Sequence, residues 1–418
     1  MWSKAIKFSL LTVVLILAAS AVMAEKGRLY GRIYTDRGDV LEGIIRWDKN
    51  EVAWDDIMNG NKDRESIFNK TSGRKKYKDR DREIKIFGYT ILNDDYNWSG
   101  RAAQSGLAFG HIKKLTAHRS SGVELLLKNG KIVELQDGST DFGSGIREIV
   151  IETKNEGELE LDWNDIEYIE FFDGGDVNSS MGDRLYGTII TDRGGEYTGW
   201  ICWDVDEALG EDILDGEDRG RSRKIKFKQI ERIERISSNA SLVVTKDGKE
   251  IRLDDSNDVD SGNRGITISD PALGAVIVQW DEFESLELKD PPSSAYPDYD
   301  DFDGGKELYG TVYDDYGNSH EGYIRWDDDE EYTWEILDGN YRDIEFNIFF
   351  SNIKSIERIS RRSSRVILWD GREFRLRDSN DVDDDNKGII VRPTKDYGDE
   401  DDMVFLDWDE FEKIEFRR

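Results

Sequence analysis

Apolar residues in this chain recur at a period of two, not 3.6. In "LYGTIITDRG" and "EYTGWICWD", between residues 185 and 204, apolar and polar positions alternate around a Gly-containing turn. "SLVVTKDGKEIRL" and "SRVILWDGREFRLRD" read the same way, and "ITIS" and "AVIVQWDEF" add further short runs. A period of two sends successive side chains to opposite faces of a strand, so the pattern predicts an all-β, antiparallel protein with tight turns.

The pattern is written three times. Residues 28–60, 184–216 and 307–339 align without gaps and share twelve identical positions. The stretch "GIIRWD" at 43–48 returns as "GWICWD" at 199–204 and "GYIRWD" at 322–327. "FGHIKKL" at 109, "FKQIERI" at 227 and "FSNIKSI" at 350 also correspond, and each unit closes on "WNDIEYIEF", "WDEFESLEL" or "WDEFEKIEF". Propeller blades repeat every ~40 to 45 residues, far shorter than this spacing, so the Trp-Asp pairs are no propeller signature. The intervening "FDGGDVNSSMGD" and "KDPPSSAYPDYDDFDGG" are rich in Gly, Ser, Pro and Asp, as linkers are. The organisation expected is unit 1 at 25–172, a linker at 173–183, unit 2 at 184–288, a linker at 289–305 and unit 3 at 306–418.

Within a unit the pattern itself falls into two similar halves: strand, Gly turn, strand, then a last strand entered through a segment such as "FKQIERI" or "WDEFESLEL". That order resembles small SH3-like or Sm-like barrels, which implies two such barrels per unit. The same strands also suit one β-sandwich per unit. No function follows from a resemblance of strand order.

Alternation assigns the faces of "GIIRWD". Ile45 and Trp47, with Ile201, Trp203, Ile324 and Trp326, share one face and are unchanged among the copies, as a core requires. The other face differs between copies, as Ile44, Trp200 or Tyr323 followed by Arg46, Cys202 or Arg325. Half-exposed positions that vary are where a partner is expected, so Arg46, Trp200, Tyr323 and Arg325 are the candidate contacts. Asp48, Asp204 and Asp327 are each followed three residues later by Glu51, Glu207 and Glu330. Such a pair makes a capping box, predicting a short helix after each Trp-Asp that stops at Gly60, Gly216 or Gly339. The alternative is a carboxylate pair for metal or acid-base chemistry.

Charge and address narrow the class. The N-terminal "MWSKAIKFSLLTVVLILAASAVMA" has basic residues, an apolar run too short to span a bilayer and a small-residue Val22-Met23-Ala24 end, which reads as a signal peptide over 1–24. A periplasmic or secreted protein with no integral membrane segment after cleavage is expected. Removing Lys4 and Lys7 with the leader takes the formal charge from −32 to −34. Nucleic acid and anionic lipid call for a basic footprint, so neither is the expected partner. Disorder is the other reading of an acidic chain, and 12 Trp, 17 Tyr and 17 Phe argue against it. Cys202 is the one cysteine, so no intramolecular disulfide forms and no repeated His accompanies the thiol as a base.

Two further segments carry candidate chemistry. "DDSNDVDSGNRGI" at 254–266 recurs as "RDSNDVDDDNKGI" at 377–389. Asp255, Asp258, Asp260, Asp378, Asp381 and Asp383 offer hard oxygen ligands of the kind calcium takes, although neither run follows the EF-hand spacing. Asx-rich turns at strand ends are the other use of these residues. Unit 1 also holds an insertion over 61–98 in which eight basic residues face three acidic ones between Lys70 and Lys85. Arg74, Lys75 and Lys76 there are candidates for docking onto an acidic surface, including another copy of this protein.

No Walker loop, dinucleotide fingerprint, Gly-x-Ser-x-Gly or His-Glu-x-x-His motif occurs. The reading these features favour is an exported, non-catalytic binding or scaffolding protein of the bacterial cell envelope, with a protein or an envelope glycan as partner. Carbohydrate recognition by exposed aromatics and a carboxylate-dependent hydrolase are the alternatives.

Overall fold

The computed structural model describes residues 26–63, 85–86, 89–90, 102–118, 122–136, 140–174, 179–327, 329–395 and 402–418. The leader at 1–24, most of the 61–98 insertion and Arg74, Lys75 and Lys76 lie outside the described residues.

Unit 1 contributes β1 (Tyr30–Thr35), β2 (Val40–Trp47), β3 (Ile57–Asp63), the two-residue β4 (Lys85–Ile86) and β5 (Tyr89–Thr90), β6 (Ala102–Ala108), β7 (Ile112–His118), β8 (Gly122–Leu127), β9 (Ile132–Gln136), β10 (Ile149–Thr153), β11 (Gly157–Leu161) and β12 (Ile166–Phe171). Unit 2 contributes β13 (Tyr186–Thr191), β14 (Glu196–Cys202), β15 (Ile213–Glu217), β16 (Ser222–Lys226), β17 (Ile230–Ser237), β18 (Ala240–Thr245), β19 (Glu250–Asp254), β20 (Ile266–Asp270), β21 (Gly274–Val278) and β22 (Phe283–Leu288). Unit 3 contributes β23 (Tyr309–Asp314), β24 (Ser319–Trp326), β25 (Ile336–Tyr341), β26 (Ile344–Phe349), β27 (Ile353–Ser360), β28 (Ser363–Leu368), β29 (Glu373–Leu376), β30 (Ile389–Arg392), β31 (Val404–Leu406) and β32 (Phe411–Phe416). All pairings are antiparallel, as the period of two requires.

In unit 2 the strands lie in the order β16-β15-β19-β18-β17-β22-β13-β14-β20-β21. Unit 1 repeats it as β6-β3-β9-β8-β7-β12-β1-β2-β10-β11. Unit 3 follows the same plan from β29 to β31, with β25 joined to β29 through the Asn340–Arg377 bridge. The order is symmetric about the central β17·β22 pair: each side has an entering strand, a first hairpin and a second hairpin. Along the chain, however, the hairpin β13–β14 leads into β15–β16 of the opposite half, and β18–β19 leads back into β20–β21. The two halves expected from the sequence are present but exchange hairpins. Neither half is therefore built from one continuous segment, and the apolar core runs through both halves.

That core is built by the invariant face. Trp47, Trp203 and Trp326 are 0% exposed and pack on Phe109, Phe283 and Phe411 respectively. Each buried Trp is worth about 4 to 6 kcal/mol as an upper bound from its area.

Among the described residues no helix follows the Trp-Asp pairs. Instead Trp203 and Glu207 exchange backbone hydrogen bonds of 2.8 and 2.9 Å around a turn in which Asp204 and Val205 have φ of +48° and +54°. The same turn joins Trp47 to Glu51 and Trp326 to Glu330. Nor do Gly60, Gly216 and Gly339 end a helix; they lie inside β3, β15 and β25. A Cβ on Gly216 would stand 3.1 Å from the Leu253 Cβ and 3.2 Å from the Val259 Cγ2, so the glycine permits close strand contact over the core.

The units are joined in three ways. The edge strand β21 of unit 2 pairs with β26 of unit 3, from Gly274 opposite Ile348 to Ile277 opposite Glu345, and one apolar core runs across both units. Unit 1 meets unit 2 through Val52, Ala53, Val150, Met181, Ala208 and Leu209. Unit 1 meets unit 3 where Ile57 and Ala108 pack with Phe349 and Ile336. The 289–305 segment is seated on unit 1, with the Tyr299 hydroxyl within 3.0 and 3.1 Å of the carbonyls of Ile112 and Phe171. Among the described residues no helix is long and apolar enough to cross a membrane.

Candidate functional site at the strand crossovers

The chain passes between the halves of a unit twice, and both passages occupy one place. In unit 2 the first follows Trp203 at the end of β14, and the second follows β19 through Asn257 and Asp258. The Trp203 Nε1 donates to the Asp258 carbonyl at 2.9 Å, and the Asp258 Oδ2 accepts the Asp215 N–H at 2.7 Å. One residue of the second passage thus holds both ends of the first. Trp47 with Asp141 (2.7 Å) and Trp326 with Asp381 (3.0 Å) repeat the bond, and the Asp141 and Asp381 carboxylates accept the N–H groups of Asn59 and Asp338.

The Asp of the Trp-Asp pair binds the far end of the second passage, just before β20, β10 or β30 begins. Asp204 accepts from the backbone N–H and the Nη2 of Arg264 at 2.5 and 2.9 Å. Asp48 does the same with Arg147 at 2.6 and 2.8 Å, and Asp327 accepts the Lys387 N–H. All three aspartates are buried. The Glu of the pair turns into the same space: Asp204, Glu207 and Asp258 each bring a carboxylate oxygen within 4.8 Å of the others.

Crowded and desolvated carboxylates hold their protons tightly. Burial, with Asp258 and Asp204 nearby, pushes the Glu207 carboxyl up to about 10. Burial raises Asp258, Asp141 and Asp327 to about 7, and carries Glu51 and Glu330 well above the carboxylate range. The Cys202 thiol is likewise pushed well above its ordinary range, by burial and then by Glu207, so it is held protonated.

The six aspartates read as hard-cation ligands separate into two groups. Asp258 and Asp381 point into the crossovers. Asp255 and Asp378 are exposed, Asp260 accepts the Gly262 N–H at 2.7 Å, and Asp383 accepts the Asp385 N–H at 2.9 Å. The four outside the crossovers are turn residues; of the two inside, Asp258 converges with Asp204 and Glu207.

Of the four candidate contacts on the varied face of "GIIRWD", Trp200 and Arg325 are buried while Arg46 and Tyr323 are half-buried. Trp200 is 2% exposed, donates its Nε1 to the Ala295 carbonyl at 3.0 Å and packs on Tyr296, so its ring is closed to a sugar. Arg325 is 7% exposed and lies 3.5 Å from Glu331. Arg46 reaches across to unit 2, where Asp212 receives its guanidinium. Tyr323 stays half-buried against Tyr309. Arg46 and Trp200 thus face segments outside their own unit, whereas Tyr323 keeps the neighbour that Trp200 also has in Tyr186.

One aligned position escaped the sequence reading. Asp56, Asp212 and Glu335 each hold N–H groups of their own turn with one oxygen and a cation from another unit with the other: Arg184 for Asp56, Arg46 for Asp212 and Lys62 for Glu335. The signal available was an acid held at one position of all three copies. Its partners sit at unrelated positions.

Comparison of the chain with protein-family models, with curated proteins and with solved structures gives no match.

Proposed function

We propose that this is an exported, non-catalytic scaffold of the cell envelope that binds protein by adding strands to its unpaired sheet edges. The observation that carries the reading is the β21·β26 union, in which the edge of one unit is completed by the edge of the next. The strand equivalent to β21 in unit 1 is β11, and the one equivalent to β26 in unit 2 is β16; both end their sheets among the described residues. β11 carries Glu158 and Glu160, and β16 carries Arg223, Lys224 and Lys226. Placed as β21 and β26 are, Glu158 stands where Ala275 is and Lys224 where Asn347 is, directly opposite each other. Opposite charges across an edge favour pairing and set its register. The occupant that fits both edges is a second copy of this chain, and the leader pattern supports export.

Sedimentation of the mature chain over a salt series tests this. Association that grows with concentration and weakens with salt is expected, with Glu158→Lys or Lys224→Glu abolishing it and the double reversal restoring it. A chain that stays monomeric at low salt would mean that the edge charges only repel other strands.

A further inference from the structure

Each unit carries the same rim beside one edge of its sheet. A single 3-10 turn follows β6, β16 and β26, at Phe109–His111, Phe227–Gln229 and Phe350–Asn352. Its last carbonyl accepts the N–H of Lys128, Lys246 or Trp369, at the tip of the β8–β9, β18–β19 or β28–β29 hairpin. Two of these rims hold another part of the chain. In unit 1 the His111 Nδ1 accepts the Gly304 N–H, and the Asn129 Nδ2 donates to the Gly304 and Gly305 carbonyls at 2.7 and 2.9 Å. In unit 3 the Asn352 Nδ2 donates to the Pro271 carbonyl at 2.9 Å, and the Arg372 Nη1 reaches the Asp270 carboxylate at 2.6 Å. Pro271 lies in the β20–β21 turn, so the hairpin that lends β21 to β26 also seats its turn on the rim. Unit 2 has Gln229 and Lys249 at the places of Asn352 and Arg372, and both are exposed. Among the described residues Lys249 pairs with Asp247 of its own hairpin, and nothing from another unit is bonded to either side chain.

We propose that the rim of unit 2 receives the β10–β11 turn of a second copy of the chain, which rests on the reading that β11 adds to β16 and supplies that union with a second contact. The two hairpins match. Asp270 pairs with Gly274 around residues 271–273, and Thr153 pairs with Gly157 around residues 154–156. The first side chain caps each turn: the Asp270 Oδ1 accepts the Ala272 N–H at 2.9 Å, and the Thr153 Oγ1 accepts the Glu156 N–H at 3.0 Å. A Cβ on Gly274 would stand 2.1 Å from the Asn347 carbonyl oxygen, because β26 runs that close, whereas one on Gly157 would meet nothing within 4 Å. The approach that β26 makes to unit 2 is thus open at the same place in unit 1. With β11 set on β16 as β21 is set on β26, the Lys154 carbonyl takes the place of Pro271 and accepts from the Gln229 amide. Thr153 takes the place of Asp270, so Lys249 meets a hydroxyl where Arg372 meets a carboxylate. The amide contact is kept and the ion pair is not.

The test is sedimentation equilibrium of the full mature chain at one fixed salt concentration. Thr153→Asp restores the missing carboxylate and should tighten association by about two- to fivefold, the worth of an exposed ion pair. Adding Lys249→Glu should cancel that gain. Gln229→Ala should weaken the association of the parent and leave its thermal midpoint unchanged, since the side chain is exposed in the single copy. Asn155 takes the place of Ala272, so Asn155→Asp adds the same charge without the pair and should tighten association less than Thr153→Asp does. Association that answers to charge reversal at Glu158 and Lys224 but not to Gln229→Ala would overturn the rim contact and leave strand addition standing. Equal tightening by Thr153→Asp and Asn155→Asp would do the same. A chain that stays monomeric at low salt, with or without Thr153→Asp, would remove both.

Discussion

Arg46 of unit 1 sets Nη1 and Nη2 against the Asp212 carboxylate of unit 2 at 2.8 and 3.1 Å. Both side chains are about seven-eighths buried, at 14% and 13% exposure. Removing one member leaves the other charge desolvated, so Arg46→Ala is expected to destabilise the chain by about 3 kcal/mol. Urea denaturation with far-UV and Trp fluorescence detection checks this. A change under half a kilocalorie would show the pair to be a solvated surface contact.

The Trp203 indole does two separable things. Trp203→Phe keeps most of the ring burial but leaves the Asp258 carbonyl without its donor, a loss of about 1 to 3 kcal/mol. Trp203→Ala also opens a cavity and should cost about 3 to 5 kcal/mol. Equal losses in the two variants would mean that the hydrogen bond, and not the packing, dominates.

Gly199, the glycine of "GWICWD", sits where β14 meets β20. A Cβ there would stand 2.3 Å from the Ser269 carbonyl oxygen, which is backbone and cannot swing aside. Gly199→Ala should therefore cost about 1 to 3 kcal/mol and loosen β14 from β20. Hydrogen exchange at Ile201 and Ile268 reads the loosening; unchanged protection would contradict it.

The segment after unit 2 should detach in acid. The Gly304 N–H donates to the His111 Nδ1 at 3.2 Å, which places the ring proton on Nε2. Burial lowers the His111 pKa to about 4, with Asp303 opposing and Lys128 adding to the shift. A folded pKa below the unfolded value near 6.5 means that the unfolded state binds the proton more readily. Stability from this group is full above about pH 6.5 and is lost as pH falls toward 4. Protease cleavage within 289–305 should rise over that window, and His111→Phe should cleave at a rate that no longer depends on pH there.

Local rules carried the reading of strands, repeats and core. The Ile-x-Trp face is apolar in all three copies, and a strand that buries such a face has one orientation available to it. The expected helix failed for an equally local reason. Asp-x-x-Glu meets the rule for a capping box, yet the loop before β20 offered Asp204 a backbone N–H and a guanidinium, and the residue took a left-handed turn instead. The crossover site was half visible: Asp258 and Asp381 stood out within a repeated acidic run, whereas Asp141 lies in a segment of unit 1 that does not match it.

By itself the sequence determined an antiparallel all-β chain of three units, the burial of Trp47, Trp203 and Trp326, and the positions of the hairpins. Each depends on side-chain period and turn chemistry over a few residues, which neighbours in the chain decide. Only the tertiary structure decided that the half-units exchange hairpins, that Arg46 and Trp200 serve the chain's own interfaces, and that Glu207 meets Asp258. Those contacts join residues that are tens to hundreds of positions apart. Burial and charge satisfaction choose such partners, and neither is defined until the sheets have closed on one another.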